Sequence, residues 1–165
     1  MRSAAEQLQW LVDRAAVIDV IVGIANAFDA QDWVRVRSFL ADEVATDYSQ
    51  FRGEPAGRVS ADAYVEERRR GLQGVRTLHV STNHEVRVTG DQADCLSAYR
   101  IYRINPQYPP GEDRFDTAGT YRHQLIRTAA GWLVCGITQT VLLRQGNPLV
   151  HGAFLSERTP RHEAT

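Results

Sequence analysis

The chain has only two cysteines in 165 residues, Cys95 and Cys135, too few for the disulfide framework of a small secreted domain. They read as free, half-buried thiols on strands. No apolar run approaches the roughly 18 residues needed to cross a bilayer. Residues 1–13 are broken by Arg2, Glu6 and Asp13 and hold no signal-peptide core. A surplus of one charge is missing as well: 19 Lys plus Arg stand against 20 Asp plus Glu, whereas a nucleic-acid binder gathers a basic excess on one face. There is no glycine-rich phosphate loop, no G-x-S-x-G elbow, no nucleotide motif, and no Cys/His cluster at metal-site spacing. These absences lead to an expectation of a cytoplasmic protein with no cofactor, no metal, no nucleic-acid partner and no membrane partner.

What is present is ordinary globular composition, 43% hydrophobic and 24% charged, at a length that fits one domain. Residues 1–155 read as a single pocket domain and 156–165 as a mobile tail, with Leu149, Val150, Phe154 and Leu155 able to cover an open end. The strongest helical signal runs from Asp13 to Ala30, where Val17, Ile21, Ile24 and Phe28 recur at helical spacing. Ile18, Val20, Val22 and Ala25 widen that stripe, leaving Asp19, Gly23 and Asn26 as a narrow polar face. A helix so apolar packs inside something, most economically a sheet.

Asp32 can cap a second short helix, Val44–Phe51 reads as a strand, and residues 52–57 read as a loop. Ser60 caps a third helix that ends in Arg68, Arg69 and Arg70, read as a solvated helix end in preference to an anion site. From Arg76 the period changes to two. Leu78, Val80, Thr82, Val86 and Val88 alternate up to a Gly90-Asp91 turn, and Ala93–Ile104 returns. Phe115–Thr128 and Trp132–Leu143 form a second long hairpin, and the proline-rich stretch 105–113 between the hairpins is a loop or flap. The fold class is therefore α+β: a cone-shaped, curved antiparallel or mixed sheet wrapped around about three N-terminal helices, with an internal pocket. Ile21, Ala25, Phe28 and Trp33 are expected to line that pocket.

Four residues could carry chemistry there. Asp29 sits on the shoulder of the apolar stripe, in the last helical turn, where the helix dipole opposes a negative charge. If buried it needs a donor. His79 has the opposite strand parity to Leu78 and Val80, and an Asp–His pair is a ready general base. His84 has the other parity, so the two histidines do not share a ligand. Tyr48 could donate a hydrogen bond to a carbonyl turning into an enolate. Tyr99 and Tyr102 fall on opposite faces of their strand, so at most one points inward.

The order Ala27-Phe-Asp-Ala-Gln-Asp-Trp33, Thr46-Asp-Tyr-Ser49, Leu78-His79 and Ala130-Gly-Trp132 resembles the SnoaL-like branch of the nuclear transport factor two-like superfamily, and within it scytalone dehydratase. The resemblance spans about residues 8 to 145 and implies a cone with a pocket. It places Asp29 at the helix-end aspartate, Tyr48 at the carbonyl-polarising tyrosine and His79 at the first pocket histidine. Phe28 stands where a tyrosine is expected, and Tyr99 where the second pocket histidine is expected. The activity implied is a cofactor-independent lyase or isomerase on a small hydrophobic cyclic molecule such as a polyketide or steroid-like compound. The alternative is a non-catalytic binding or structural module, like the β subunit of ring-hydroxylating dioxygenases. Relatives of this kind imply a homodimer or homotrimer. The carboxylate of Asp29 is expected to outweigh burial and raise the His79 pKa.

Overall fold

A computed structural model describes residues 3–152. Phe154, Leu155 and the tail at 156–165 lie outside them. Helix α1 (Ala4–Asp29) starts nine residues before the Asp13 expected from periodicity, because Ser3 and Glu6 form a capping box at its start. Along that first stretch Leu8, Leu11 and Val12 share one side of the helix but are exposed, so this turn packs on no sheet. Further along, Val17, Ile21, Ile24, Ala27 and Phe28 are buried. Each large side chain among them contributes about 1.5–3 kcal/mol by leaving water. Gly23 is not on a polar face. It is buried beneath the Phe39 ring, which a Cβ there would meet at 2.5 Å.

Helix α2 (Trp33–Ser38) is capped by Asp32, whose side chain accepts from the Arg35 N–H. Strand β1 (Leu40–Asp47) begins and ends earlier than the segment expected at 44–51. Asp47 Oδ1 accepts from both the N–H and the hydroxyl of Ser49, turning the chain into a short helix α3 (Ser49–Arg52). Tyr48 is thus the cap of that turn and no longer a strand residue. Strand β2 (Gly57–Ser60) runs from the last residue of the expected 52–57 loop to the Ser60 cap. Helix α4 (Ala61–Gly71) is capped by Ser60 as expected.

Four long strands follow: β3 (Arg76–Thr89), β4 (Gln92–Ile104), β5 (Phe115–Thr128) and β6 (Gly131–Gly146), with a 3-10 turn at Pro148–Val150. The six strands form one sheet in the order β2-β1-β6-β5-β4-β3. All neighbours are antiparallel except β1 and β6, which run parallel. The sheet is therefore mixed, and it curls around α1, which lies chiefly against β3 and reaches β6 and β4. An ion pair seals one end: Arg127 grips both oxygens of buried Asp13, at 2.7 and 2.8 Å, and lies over the Trp132 ring.

Strand β3 changes face midway. The register slips between Thr82 and Glu85, with Asn83 in the left-handed region at φ 54°. Before the slip Thr77, His79 and Ser81 face inward, and Leu78 and Val80 face out at 56% and 40% exposure. Beyond it His84, Val86 and Val88 are the less exposed set. The apolar alternation read as one face is therefore split between two faces. His84 stands on the same side as His79, not the opposite one, and its Nε2 is 2.9 Å from Ser81 Oγ. Cys95 is buried on β4, Cys135 is half-buried on β6, and both thiols are free. Among the described residues no helix is long and apolar enough to cross a membrane.

Candidate active site

The end of α1 is tied down from outside the helix. Gln31 takes a left-handed φ of 53°, and its side-chain amide donates to the carbonyls of Leu72 and Val75, just before β3. This places Asp29 beside the first residues of that strand. Its carboxylate accepts from Thr77 Oγ1 at 2.8 Å and from the backbone N–H of His79 at 2.8 Å. Oδ1 also lies 2.5 Å from His79 Nδ1. The donors compensate a charge left at an unfavourable helix end.

The two side chains are 17% and 19% exposed, and the Phe28 ring stacks on the imidazole at 5.7 Å. A carboxylate can only accept, so with neutral imidazole the shared proton sits on Nδ1, and Nε2 carries the free lone pair. Burial pushes the His79 pKa below its ordinary value. The Asp29 hydrogen bond and charge oppose that shift without reversing it, and Arg103 adds to it. This corrects the expectation of a raised pKa: desolvation wins. Burial alone would raise the Asp29 pKa, but the bonds from His79 and Thr77 and the His79 charge hold it below the usual carboxylate value.

Inside the cone, a largely apolar cavity of about 490 Å³, counting its open mouth, is walled by Ile21, Ala25, Phe28 and His79 among others. Trp33 does not line it; it packs edge-on behind Phe28, with ring centroids 5.9 Å apart. Tyr48 and Tyr99 do line it. The Tyr48 hydroxyl is 2.9 Å from that of Tyr64, a buried α4 residue whose phenol burial pushes well above its ordinary pKa. The Tyr99 hydroxyl accepts from Gln139 Nε2 at 2.9 Å, and burial raises its pKa too. Tyr99 is 5% exposed on the inner face of β4, while Tyr102 lies on the outer face against Arg100.

The sequence reading missed the wall residues Tyr64, Tyr121 and His123, and Gln139, which stands behind Tyr99. His123 pairs with Cys95 across the β4–β5 ladder and is buried. Its Nδ1 has no hydrogen-bond partner among the described residues, and burial pushes its pKa down to about 4. The second pocket histidine is therefore on β5, one strand beyond Tyr99. Alternation of Tyr121, His123 and Leu125 on one face was the available signal. Arg68 also departs from expectation. Arg69 and Arg70 pair with Glu66 in solvent, but Arg68 is 7% exposed and lies over the rings of Tyr48 and Tyr64 at 4.4 and 4.5 Å. Among the described residues no three His, Cys, Asp or Glu side chains are grouped to hold a metal.

Residues 9–138 match the model of the SnoaL-like domain. The chain belongs to the SnoaL-like family. No curated protein matches this SnoaL-like chain by sequence. Solved structures resemble it across nearly the whole cone. The Kfla4162 protein from Kribbella flavida is 25% identical, covering 81% of this chain and 93% of its own, with a TM-score of 0.78. A candidate scytalone dehydratase from Novosphingobium aromaticivorans is 14% identical over 84% of this chain and 94% of its own, at a TM-score of 0.71. A hexachlorocyclohexane dehydrochlorinase, LinA type 2, is 16% identical over 88% and 95%, also at 0.71. At these identities the last two share the SnoaL-like fold.

Proposed function

We propose that this SnoaL-like protein is a cofactor-independent lyase or isomerase acting on a small hydrophobic cyclic molecule of polyketide or steroid-like type. The observation that carries the reading is the Asp29–His79 contact at the wall of an apolar cavity. His79 Nε2 takes a proton from a carbon made acidic by an adjacent carbonyl. Asp29 holds the ring in the reactive tautomer and stabilises the imidazolium that forms. With Tyr64 as the donor in the Tyr48–Tyr64 contact, the Tyr48 proton is left to hydrogen-bond the developing oxyanion. In the same way, the amide donated by Gln139 leaves the Tyr99 proton free to orient a leaving hydroxyl. In an elimination, the carbon loses a proton and its neighbour loses hydroxide, giving an alkene and water. In an isomerisation, His79 returns the proton to a different carbon. The structures named dehydratase and dehydrochlorinase support this chemistry by fold only. A purely structural module would not need a part-buried carboxylate–imidazole pair at a cavity wall.

The test is proton exchange. 1-Tetralone, an apolar bicyclic ketone, is incubated with the protein in D₂O, and deuterium uptake beside the carbonyl is followed by mass spectrometry. The wild type is expected to accelerate uptake, and His79→Ala to lower the rate by about 10²–10⁴. Equal rates in the two proteins would rule out His79 as the base.

A further inference from the structure

A second cavity, of about 400 Å³ counting its mouth, adjoins the apolar one and shares His79, Phe28, Tyr48, Tyr64 and Tyr121 with it. Its remaining wall is unlike the first, because three arginines reach it: Arg52, Arg68 and Arg103. The side chains of Arg52 and Arg68 are 6% and 8% exposed; both contact the half-exposed carboxylate of Glu67, and Arg52 also lies 3.9 Å from the exposed Glu54. Arg52 Nε is buried without a hydrogen-bond partner among the described residues.

Arg103 is the most isolated. It is 4% exposed on the inner face of β4, where Thr77 is its neighbour on β3, two residues before His79. Of the five N–H groups of a guanidinium, one donates to Thr117 Oγ1 at 3.0 Å. Phe51 and Phe115 cover the guanidinium at 5.4 and 5.6 Å, which shields its faces but not its N–H edge. No carboxylate of a described residue lies within ion-pair distance of it. Asp116, next to its Thr117 contact, is engaged by Arg114 instead. Burial pushes the Arg103 pKa down to about 10; Tyr121, Tyr99 and Asp116 oppose the shift only in part, and Arg68 adds to it. A buried guanidinium left this way is costly unless an anion completes it.

We propose that Arg103, flanked by Arg52 and Arg68, binds the carboxylate of the substrate, so that the substrate is an apolar ring system bearing a carboxylic acid. This rests on the functional reading above and deepens it. The ring occupies the apolar cavity, the carboxylate occupies the cationic one, and His79 stands at their junction. Arginine suits the role, since its planar fork matches a carboxylate in a bidentate pair.

The test uses two probes of one shape, 2-naphthoate and the uncharged 2-naphthamide, titrated calorimetrically into the full chain at pH 7.5. The wild type is expected to bind the naphthoate at least tenfold more tightly. Arg103→Met should bring the ratio close to one while naphthamide affinity is kept, and Arg103→Lys should retain part of the preference. Should Arg103→Met unfold, the Nε resonance of Arg103 in wild-type protein gives the same contact, shifting with naphthoate and not with naphthamide. Naphthamide binding as tightly as naphthoate, or a preference that survives Arg103→Met, would overturn the proposal and leave the dyad standing. His79→Ala, which removes the proposed base, is expected to keep the naphthoate preference. If neither probe binds the wild type at millimolar concentration, the carboxylate assignment and the pocket reading fall together.

Discussion

Asp29→Asn exchanges one carboxylate oxygen for an NH₂ group at a point where three donors converge. The native carboxylate accepts from Thr77 Oγ1, from the His79 backbone N–H and from His79 Nδ1. The backbone N–H cannot reverse its role, so it keeps the remaining amide oxygen. The NH₂ then faces Nδ1, which must become an acceptor, and the ring proton moves to Nε2. The base nitrogen at the cavity is thereby blocked. Loss of one charge-assisted bond predicts a stability cost of about 1.5–3 kcal/mol, too small to unfold the domain. Tetralone exchange is expected to fall by about 10²–10⁴, as an imidazole locked in the wrong tautomer requires. With the carboxylate gone, burial acts unopposed and the His79 pKa drops further below its ordinary value. Nitrogen-15 NMR of the imidazole measures the cause directly, with a protonated Nδ1 in the wild type and a protonated Nε2 in the variant. A wild-type ring protonated at Nε2, or a variant that keeps both its Nδ1 proton and its activity, would refute the reasoning.

Two further outcomes concern the scaffold. The folded-state pKa of His123, about 4 against an ordinary 6.5, means the native state refuses a proton that the unfolded chain accepts. This share of stability is complete above pH 6.5, falls between pH 6.5 and 4, and amounts to about 3 kcal/mol. Urea unfolding at pH 7 and 4.5 should show the loss, and His123→Phe should reduce it. Arg127→Met strands Asp13, whose carboxyl Arg127 holds below its usual pKa, and should cost about 2–4 kcal/mol in thermal or urea unfolding. Asp13→Asn in the same chain is expected to recover part of that loss.

Asp29 and His79 were legible because each violates a local pattern: a carboxylate on an apolar shoulder, and a histidine on the face opposite two aliphatic neighbours. The long hairpins were legible from the opposite signal, a period of two kept on either side of a turn. What escaped depends on partners far away in the chain. Arg68 stands in a run of three arginines that look alike on paper, and only the rings of Tyr48 and Tyr64 set it apart. The slip at Asn83 has no glycine to announce it, so Leu78 and Val88 looked like one face when they lie on two. The depressed His79 pKa follows from enclosure by α1 and the sheet together. No property of the local sequence carries that information.

The parallel pairing of β1 with β6 bears on how the cavity comes into being. Both long hairpins close between strands adjacent in sequence, but Leu40 meets Val134 only after nearly the whole intervening chain has been organised. Such closure spends the most chain entropy and belongs late in folding. Tyr48 follows β1, and Gln139 lies on β6 just beyond the paired stretch, so these walls meet only at that last step. A chain stalled before it has most of its sheet and no binding chamber. A molecule held in this cavity would therefore act as a clasp on the final seam, resisting the reopening of the β1–β6 pair.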